Sequence, residues 1–275
     1  MIFGSDDLAR DLRALGVAPG DGLFVHAALG RVGRVIGGPR GLIEALIAAV
    51  GPTGLIGMPG FSADAYDPID LLEDPPELDA ARRAEIRAQV PGFDPLKSDV
   101  RGNGAVPEAF RSWPGVVRSP HPTSSVLLLG DGAADLAARH DPAGWATGPL
   151  TPWGRLRARP NMKILLIGVG WNRCSALHAA ESVAEHRRTK MRRFKTGAGD
   201  APWIDAPDVA DDLDRLFPLV GAAWEAAGVV RLGPVGNAEC RITDYDPLVG
   251  FASDWISRRN AEDGVPAVAS SAVTA

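Results

Sequence analysis

Hydrophobic positions along this chain alternate between short continuous runs and runs with helical spacing. Continuous apolar runs are typical of strands buried on both faces, and spacing of three to four residues is typical of amphipathic helices. Buried strands are predicted at residues 21–29, 54–61, 125–130 and 163–170. Helices are predicted at residues 6–17, 39–51, 106–113, 131–140, 151–160 and 175–188. This order predicts one layered α/β/α domain over residues 1–260, with a central mixed, largely parallel sheet.

Two regions and the tail depart from this alternation. Residues 62–104 are rich in proline, aspartate and glutamate and have one helical stretch near 78–90, which predicts a long irregular acidic excursion. Residues 189–250 have a less regular pattern. Within them a helix is predicted at 208–228, followed by two strands. The tail, residues 261–275, is small and polar, so we expect it to be disordered.

Composition narrows the class of protein. The 275 residues carry a formal net charge of −5, which argues against a nucleic-acid-binding surface because such surfaces need a basic stripe. The N-terminus has charged residues in place of the apolar stretch of a signal peptide, and no apolar run approaches the length of a membrane span. Two cysteines at no metal-binding spacing are interpreted as reduced thiols. We therefore expect a cytoplasmic protein without membrane or nucleic-acid partners, as a monomer or homodimer.

The most chemically suggestive stretch is GVGWNRCSALHAAES, residues 168–182, which follows the strongest predicted strand. Ser175 is expected to cap the helix that begins there, and His178 and Glu181 share one helix face at positions i and i+3. A histidine beside a carboxylate at the end of a buried strand fits a general base, because ligands bind at that end of α/β sheets. The same residues also fit a half-buried histidine that only packs.

Three other interpretations of this stretch are weaker. The glycines lack the third member of the dinucleotide-binding fingerprint. Cys174 lies next to the helix start, where a thiol pKa can fall, so a thiolate nucleophile is a second hypothesis; a small buried cysteine is the ordinary alternative. His178 with Glu181 does not have the spacing of a metal site, so no metal is expected.

Further segments are candidates for the same sheet edge. The glycine-rich loop after residues 25–29 leads into a helix whose N-terminus can bind a phosphate at Gly38, with Arg31, Arg34 and Arg40 nearby; an ordinary strand-to-helix turn fits equally well. The turn RSPHPTSS, residues 118–125, offers His121 and hydroxyl groups. Carboxylates of the acidic excursion are candidates for binding a cationic ligand, or are simply solvated. They are Asp64, Asp67, Asp70 and Glu73.

Taken in order, four segments resemble the aminoglycoside 3-N-acetyltransferase family, whose fold differs from that of the GNAT acetyltransferases. The segments are residues 25–61, 93–126, 148–156 and 165–181. The resemblance implies an acyltransferase that moves acetyl from acetyl-CoA to the 3-amino group of the deoxystreptamine ring, without a metal or an acyl-enzyme, and so confers aminoglycoside resistance. In the family the histidine in the last of these four segments acts with a glutamate. The resemblance therefore implies that His178 is the base and that Glu181 supports it.

The resemblance also implies binding residues. Those expected to bind CoA are His26, Ala27, Ala28, Leu29, Arg31, Gly38, His121, Ser124 and Ser125. From the charge of the acidic excursion and not from the resemblance, Asp64 and Asp67 are expected to bind the amine substrate, together with Ser175.

The chain departs from the commonest family pattern at two places. Cys174 and Ser175 stand where many members have Asn-Thr, and HAAL stands where H-S-S-L is more usual. These departures keep two alternatives open. One is a CoA-dependent N-acetyltransferase of the same fold that acts on a different amine. The other is a CoA-binding protein that has lost catalysis.

Overall fold

The computed structural model describes residues 1–69, 72, 76–210 and 215–268. The helices are α1 Ser5–Leu15, α2 Leu29–Val32, α3 Pro39–Val50, α4 Ala80–Ala88, α5 Ala105–Arg111, α6 Ala133–Ala138, α7 Pro152–Arg157, α8 Ala176–Val183, α9 Phe217–Ala226 and α10 Tyr245–Glu262. The strands are β1 Ile2–Phe3, β2 Gly22–Ala27, β3 Arg34–Val35, β4 Leu55–Pro59, β5 Val117–Arg118, β6 Val126–Gly130, β7 Met162–Ile167, β8 Thr189–Lys195, β9 Trp203–Val209, β10 Arg231–Val235 and β11 Ala238–Asp244. Short 3-10 turns occupy Arg101–Asn103 and Trp171–Arg173.

Seven of these strands form the central sheet, in the order β10-β11-β7-β2-β4-β6-β5. The predicted mixed α/β sheet is confirmed, but it is less parallel than expected. Only β2 pairs in parallel on both sides, with β7 and β4, and all the other pairings in this sheet are antiparallel. At one edge the reason is local, because β10 and β11 are joined by the two residues Gly236 and Asn237, and so short a turn permits only an antiparallel hairpin.

Helices cover both faces of this sheet, which confirms the three-layer architecture. Alternate side chains of β2 point to opposite faces: Leu23 and Val25 join one apolar core, and Phe24 joins the other. The first core is completed by α1, α3 and α5, and the second by α6 to α10. This double burial explains why the central strands are continuous apolar runs in the sequence.

A second, separate hairpin pairs β8 with β9, and the acidic excursion packs on it. Tyr66 forms an isolated bridge with Phe194 of β8, and a small third core combines Ala65, Phe93, Phe194 and Ala206. The helix predicted at 208–228 was wrong at residues 208 and 209, which belong to β9, and is confirmed over α9, Phe217–Ala226. Residues 211–214 of that prediction lie outside the described residues. The sequence could not reveal β9 because a strand of a two-stranded ribbon does not form a continuous apolar run.

The C-terminal part folds back on the domain as far as the structure describes it. Helix α10 continues to Glu262, and the amide of Val268 donates a hydrogen bond of 2.9 Å to the carbonyl of Glu185. The rest of the predicted disordered tail, residues 269–275, lies outside the described residues. None of the described helices has both the length and the apolar character that crossing a membrane requires.

Candidate active site

The three parallel strands of the sheet end together at the rim of one large cavity. Strands β2, β4 and β7 run in the same direction, so their carboxyl ends and the loops that follow meet at one edge. The cavity there has a volume of about 700 Å³. Its walls include residues 26–28 at the end of β2, Pro59 at the end of β4 with residues 61–63 after it, and Val169 with residues 172, 173 and 175 after β7. This is the place in an open α/β sheet where a ligand is expected.

His178 lies in the wall of this cavity and contacts a buried carboxylate. Its Nδ1 is 2.8 Å from Oε2 of Glu181, whose residue is only 4% exposed. In the neutral ring an Nδ1–H that donates to the carboxylate places the lone pair on Nε2. The rings of Phe61 and Phe217 lie 6.3 and 4.9 Å from the imidazole, so apolar groups flank it. The pair therefore has the arrangement of an oriented base, as the i, i+3 spacing predicted.

Hydrogen bonds from residues in other segments of the chain hold helix α8 in place. The hydroxyl of Thr147 donates to the carbonyl of His178 at 3.0 Å and lies 2.6 Å from the hydroxyl of Ser182. The amide of Ser175 donates to Nε2 of His26 at 3.3 Å. The predicted capping by the Ser175 hydroxyl was wrong, because Ser175 has helical backbone angles and its side chain makes no capping hydrogen bond. An N-cap hydroxyl needs an extended backbone at its own residue to reach the following amides.

Cys174 does not have the environment of a nucleophile. The residue is completely buried, and burial raises the pKa of its thiol to about 12. The hypothesis of a lowered pKa at the helix start was therefore wrong, because the loss of hydration outweighs the hydrogen bonds from the amides of Ala176 and Leu177. A thiol in this state is a small packing residue.

Among the residues expected to bind CoA, four line the cavity and five do not. The four are His26, Ala27, Ala28 and Ser124. The remaining five, Leu29, Arg31, Gly38, His121 and Ser125, lie outside its lining. Arg31 is exposed and packs its aliphatic part near Gly168, just beyond the end of β7.

The turn at residues 118–125 mainly supports itself. Nδ1 of the buried His121 accepts the amide of Ser124 at 3.1 Å, and the ring packs 4.5 Å from that of His140. The hydroxyl of Ser125 donates to the carbonyl of Gly60 at 2.5 Å and accepts from Nε of Arg118 at 2.9 Å. These contacts use Nδ1 of His121 and the Ser125 hydroxyl, whereas the buried Nε2 of His121 has no hydrogen-bond partner within the described residues.

The residues expected to bind the amine are also divided. Ser175 lines the cavity, whereas Asp64 and Asp67 do not. The fully buried Asp67 accepts Nε of Arg87 at 2.6 Å and the amide of Ile69 at 3.1 Å, so its carboxylate is satisfied within the protein. The other two acidic candidates, residues 70 and 73, lie outside the described residues.

Two carboxylates that do line the cavity, those of Asp99 and Asp208, were not predicted from the sequence. Asp208 forms an ion pair with Arg192, whose guanidinium lies 5.3 Å from the centre of the Tyr66 ring. Asp99 lies two residues before Arg101, which also lines the cavity. Nothing in the local sequence marks Asp208. Asn103 also lines the cavity and was not predicted, although its position between two glycines is a signal that could have been recognised. Its amide donates to the carbonyl of Phe61 at 2.8 Å and so ties the excursion to the end of β4.

Three buried histidines predict acid sensitivity of the fold. Burial lowers the pKa of His26 to about 3 and of His140 to about 4, and it lowers the pKa of His121 well below the ordinary 6.5. The unfolded chain therefore binds more protons than the folded chain below pH 6.5, so stability is lost as the pH falls. Each such histidine contributes a slope of up to about 1.4 kcal/mol per pH unit.

The measurement is urea unfolding between pH 8 and pH 5. We expect the free energy of unfolding to be nearly constant above pH 7 and to fall progressively below pH 6.5. Equal stability at pH 7.5 and pH 5 would show that these histidines are protonated in the folded protein and would contradict their burial in the neutral form.

Within the described residues, no three side chains of histidine, cysteine, aspartate or glutamate are grouped so that they could hold one metal ion. The absence of a metal from the reaction stays a prediction.

Comparison with known proteins gives consistent matches over nearly the whole chain. A family model described as aminoglycoside 3-N-acetyltransferase matches residues 24–257. Aminoglycoside N(3)-acetyltransferase VIII of Streptomyces fradiae is 37% identical over 269 residues, which are 92% of this chain and 91% of that protein. The solved structure of AAC-IIIb in binary complex with CoASH has a TM-score of 0.82 and 30% identity, covering 94% of this chain and 98% of its own. That of AAC-VIa bound to sisomicin has a TM-score of 0.82 and 34% identity, covering 94% and 99%.

Proposed function

The chain belongs to the aminoglycoside 3-N-acetyltransferase family, and from this premise we propose that it transfers acetyl from acetyl-CoA directly to the 3-amino group of an aminoglycoside's deoxystreptamine ring. His178 is the general base, and Glu181 orients it. The outcome for a cell would be resistance to the antibiotic. A relative solved with CoASH and another solved with sisomicin support the two classes of ligand.

The observation that carries this proposal is the contact of 2.8 Å between Nδ1 of His178 and Oε2 of Glu181 in the wall of the cavity. An aminoglycoside amine is mostly protonated at neutral pH and attacks a thioester only after it loses a proton. A carboxylate on Nδ1 fixes the tautomer in which Nε2 accepts that proton, and it stabilises the imidazolium that results. A positioned base of this kind contributes about 10²–10⁴ in rate.

The proposed reaction needs one base and no covalent enzyme intermediate. Nε2 of His178 first takes the ammonium proton and passes it to solvent. The free amine nitrogen then attacks the thioester carbonyl carbon while Nε2 takes a second proton from it. The tetrahedral intermediate then collapses, the carbon–sulfur bond breaks, and CoA leaves as a thiolate. The proton held by His178 returns to the sulfur or to solvent, so the products are the N-acetylated antibiotic and CoASH.

The charges on the cavity wall suggest how the two substrates share it. Arg101 and Arg173 lie in the loops beside the backbone of residues 26–28, a suitable place for the CoA diphosphate. Asp208 and Tyr66 lie on the side of the β8–β9 ribbon, together with Arg192. A cationic sugar ring bound between the ribbon side of the cavity and His178 would have one amine next to Nε2 of the base. A second ammonium group of the same antibiotic would then pair with Asp208. Ser175 and Ser124 line the cavity as further hydrogen-bonding groups.

The test is the release of free thiol from acetyl-CoA by the purified protein, with and without gentamicin, kanamycin and apramycin. We expect release to depend on the antibiotic, and NMR of the product to place the new acetyl group on N3. A simple primary amine at equal concentration serves as the control and should give little release above background.

The two alternatives give different results in the same assay. Release with other amines but with no aminoglycoside would favour the same fold and donor with another acceptor. Binding of CoA measured by calorimetry, with no release for any amine, would favour a protein that has lost catalysis. Either result would overturn the proposed function.

A further inference from the structure

His26 lies between the sheet and the helix that carries the proposed base. It is the next-to-last residue of β2, it is 5% exposed, and its ring packs 5.5 Å from that of Phe24. Its Nε2 accepts a hydrogen bond of 3.3 Å from the amide of Ser175, a residue 149 positions later in the chain. The imidazole therefore joins the end of the central strand to the residue just before α8.

This hydrogen bond compensates for a weak helix start. Helix α8 has only eight residues, and no side chain caps its N-terminus. The Ser175 amide also approaches the carbonyl of Arg173 at 3.0 Å, but that contact stays within the same tight turn and does not fix the turn relative to the sheet. So short a helix depends on tertiary contacts for its position.

The protonation state of His26 suits the role of acceptor. A nitrogen that accepts an amide N–H has its lone pair available, so in the neutral ring the proton is on Nδ1. Burial, with a smaller effect from the nearby charge of His178, holds the pKa of His26 at about 3. The acceptor is therefore preserved when the neighbouring histidine takes up a proton during the reaction.

We propose that His26 is a positioning residue for the acetyl transfer: its side chain fixes the first turn of α8 and thereby the place of His178, rather than binding CoA. This inference rests on the proposed function of His178. In this proposal the side chain of His26 positions α8, while the backbone of residues 26–28 stays available for binding acetyl-CoA. A displacement of about 1 Å in a catalytic group can cost on the order of 100-fold in rate.

The experiment compares His26→Phe with His26→Gln. Phenylalanine keeps a flat ring but removes the acceptor, so we expect kcat to fall about 10- to 100-fold with little change in the KM for acetyl-CoA. Glutamine offers an amide oxygen near the position of Nε2, so we expect it to recover most of the lost kcat. His186→Phe is the matched control, because His186 lies outside the cavity lining, where it contacts Val265 and Ser257.

Three results would overturn the proposal. A raised KM for acetyl-CoA with unchanged kcat in His26→Phe would assign the side chain to cofactor binding. Equal losses in the Phe and Gln variants would show that the acceptor is not what matters. Wild-type kcat in both variants would show that the contact has no effect on the reaction.

Hydrogen exchange separates this proposal from the function on which it rests. The amide of Ser175 should exchange faster in His26→Phe than in the wild type and the Gln variant, whether or not the protein acetylates any amine. Unchanged exchange would overturn the anchoring role itself, whereas faster exchange in a protein without acetyl transfer would place the failure with the proposed function.

Discussion

Replacing His178 with alanine is expected to lower kcat for aminoglycoside acetylation by about 10²–10⁴-fold, the usual contribution of a positioned general base. Binding of CoA should change little, because the variant removes a group that handles the proton and leaves the loops around residues 26–28 intact. Thiol release gives kcat, and calorimetry with CoA gives the dissociation constant. Glu181→Gln should cause a smaller loss, because a neutral amide orients the ring but does not stabilise its positive charge.

His186→Ala is the control for this experiment, since it removes an imidazole that is absent from the cavity wall. It should keep wild-type kcat. If His178→Ala instead loses CoA binding while kcat at saturating substrate is preserved, His178 is a structural or binding histidine and the proposed mechanism is wrong.

The second large effect concerns Gly221, where an added methyl group has no space. Gly221 lies in α9, and a Cβ atom there would overlap the indole of Trp171. That ring cannot easily move, because its Nε1 donates to Glu225 at 2.6 Å and Glu225 also accepts Nε of Arg241 at 2.6 Å. Gly221→Ala should therefore lower the free energy of unfolding by about 1–3 kcal/mol, the range for overpacked cores.

Gly250→Ala provides a matched comparison in urea unfolding. Gly250 lies within α10. Apart from its chain neighbours and the backbone of its own helix, no atom lies within 4 Å of the Cβ that alanine would add. Alanine is favoured over glycine in a helix by about 1 kcal/mol, so this variant should be as stable as the wild type or more stable. Equal stability of the two variants would mean that α9 can shift away from Trp171 at little cost.

The central part of the fold was predictable because its residues carry the pattern of their environment. Strands β2, β4, β6 and β7 are buried between helices, and each was predicted from its apolar run. The antiparallel outer strands were harder, since pairing direction depends on how chain segments are connected and not on the residues of one strand. Helix α10 was not predicted from the sequence. Its proline, Pro247, is no obstacle to that prediction, because it lies in the first turn, where proline does not break a helix.

The candidate site divides in the same way. His178 and Glu181 were predictable as a pair because one helical turn separates them, and helix geometry fixes their proximity. Tyr66 and Asp208 reach the cavity from segments more than a hundred residues apart, so nothing in either local sequence indicates the juxtaposition. The Ser175 cap was predicted from residue type, and the anchor that replaces it, His26, comes from a distant strand that no local rule can identify.

The small third core has a consequence for how such a protein diversifies. Ala65, Phe93, Phe194 and Ala206 join the acidic excursion to the β8–β9 ribbon, and they belong to neither of the two large cores. The excursion and the ribbon are therefore expected to change together, provided that Val100, which belongs to the first core, and Asn103, which bonds to the end of β4, are kept. Grafting both segments from a relative as a single unit should transfer its wall of the cavity intact, whereas grafting either one alone would leave the third core mismatched.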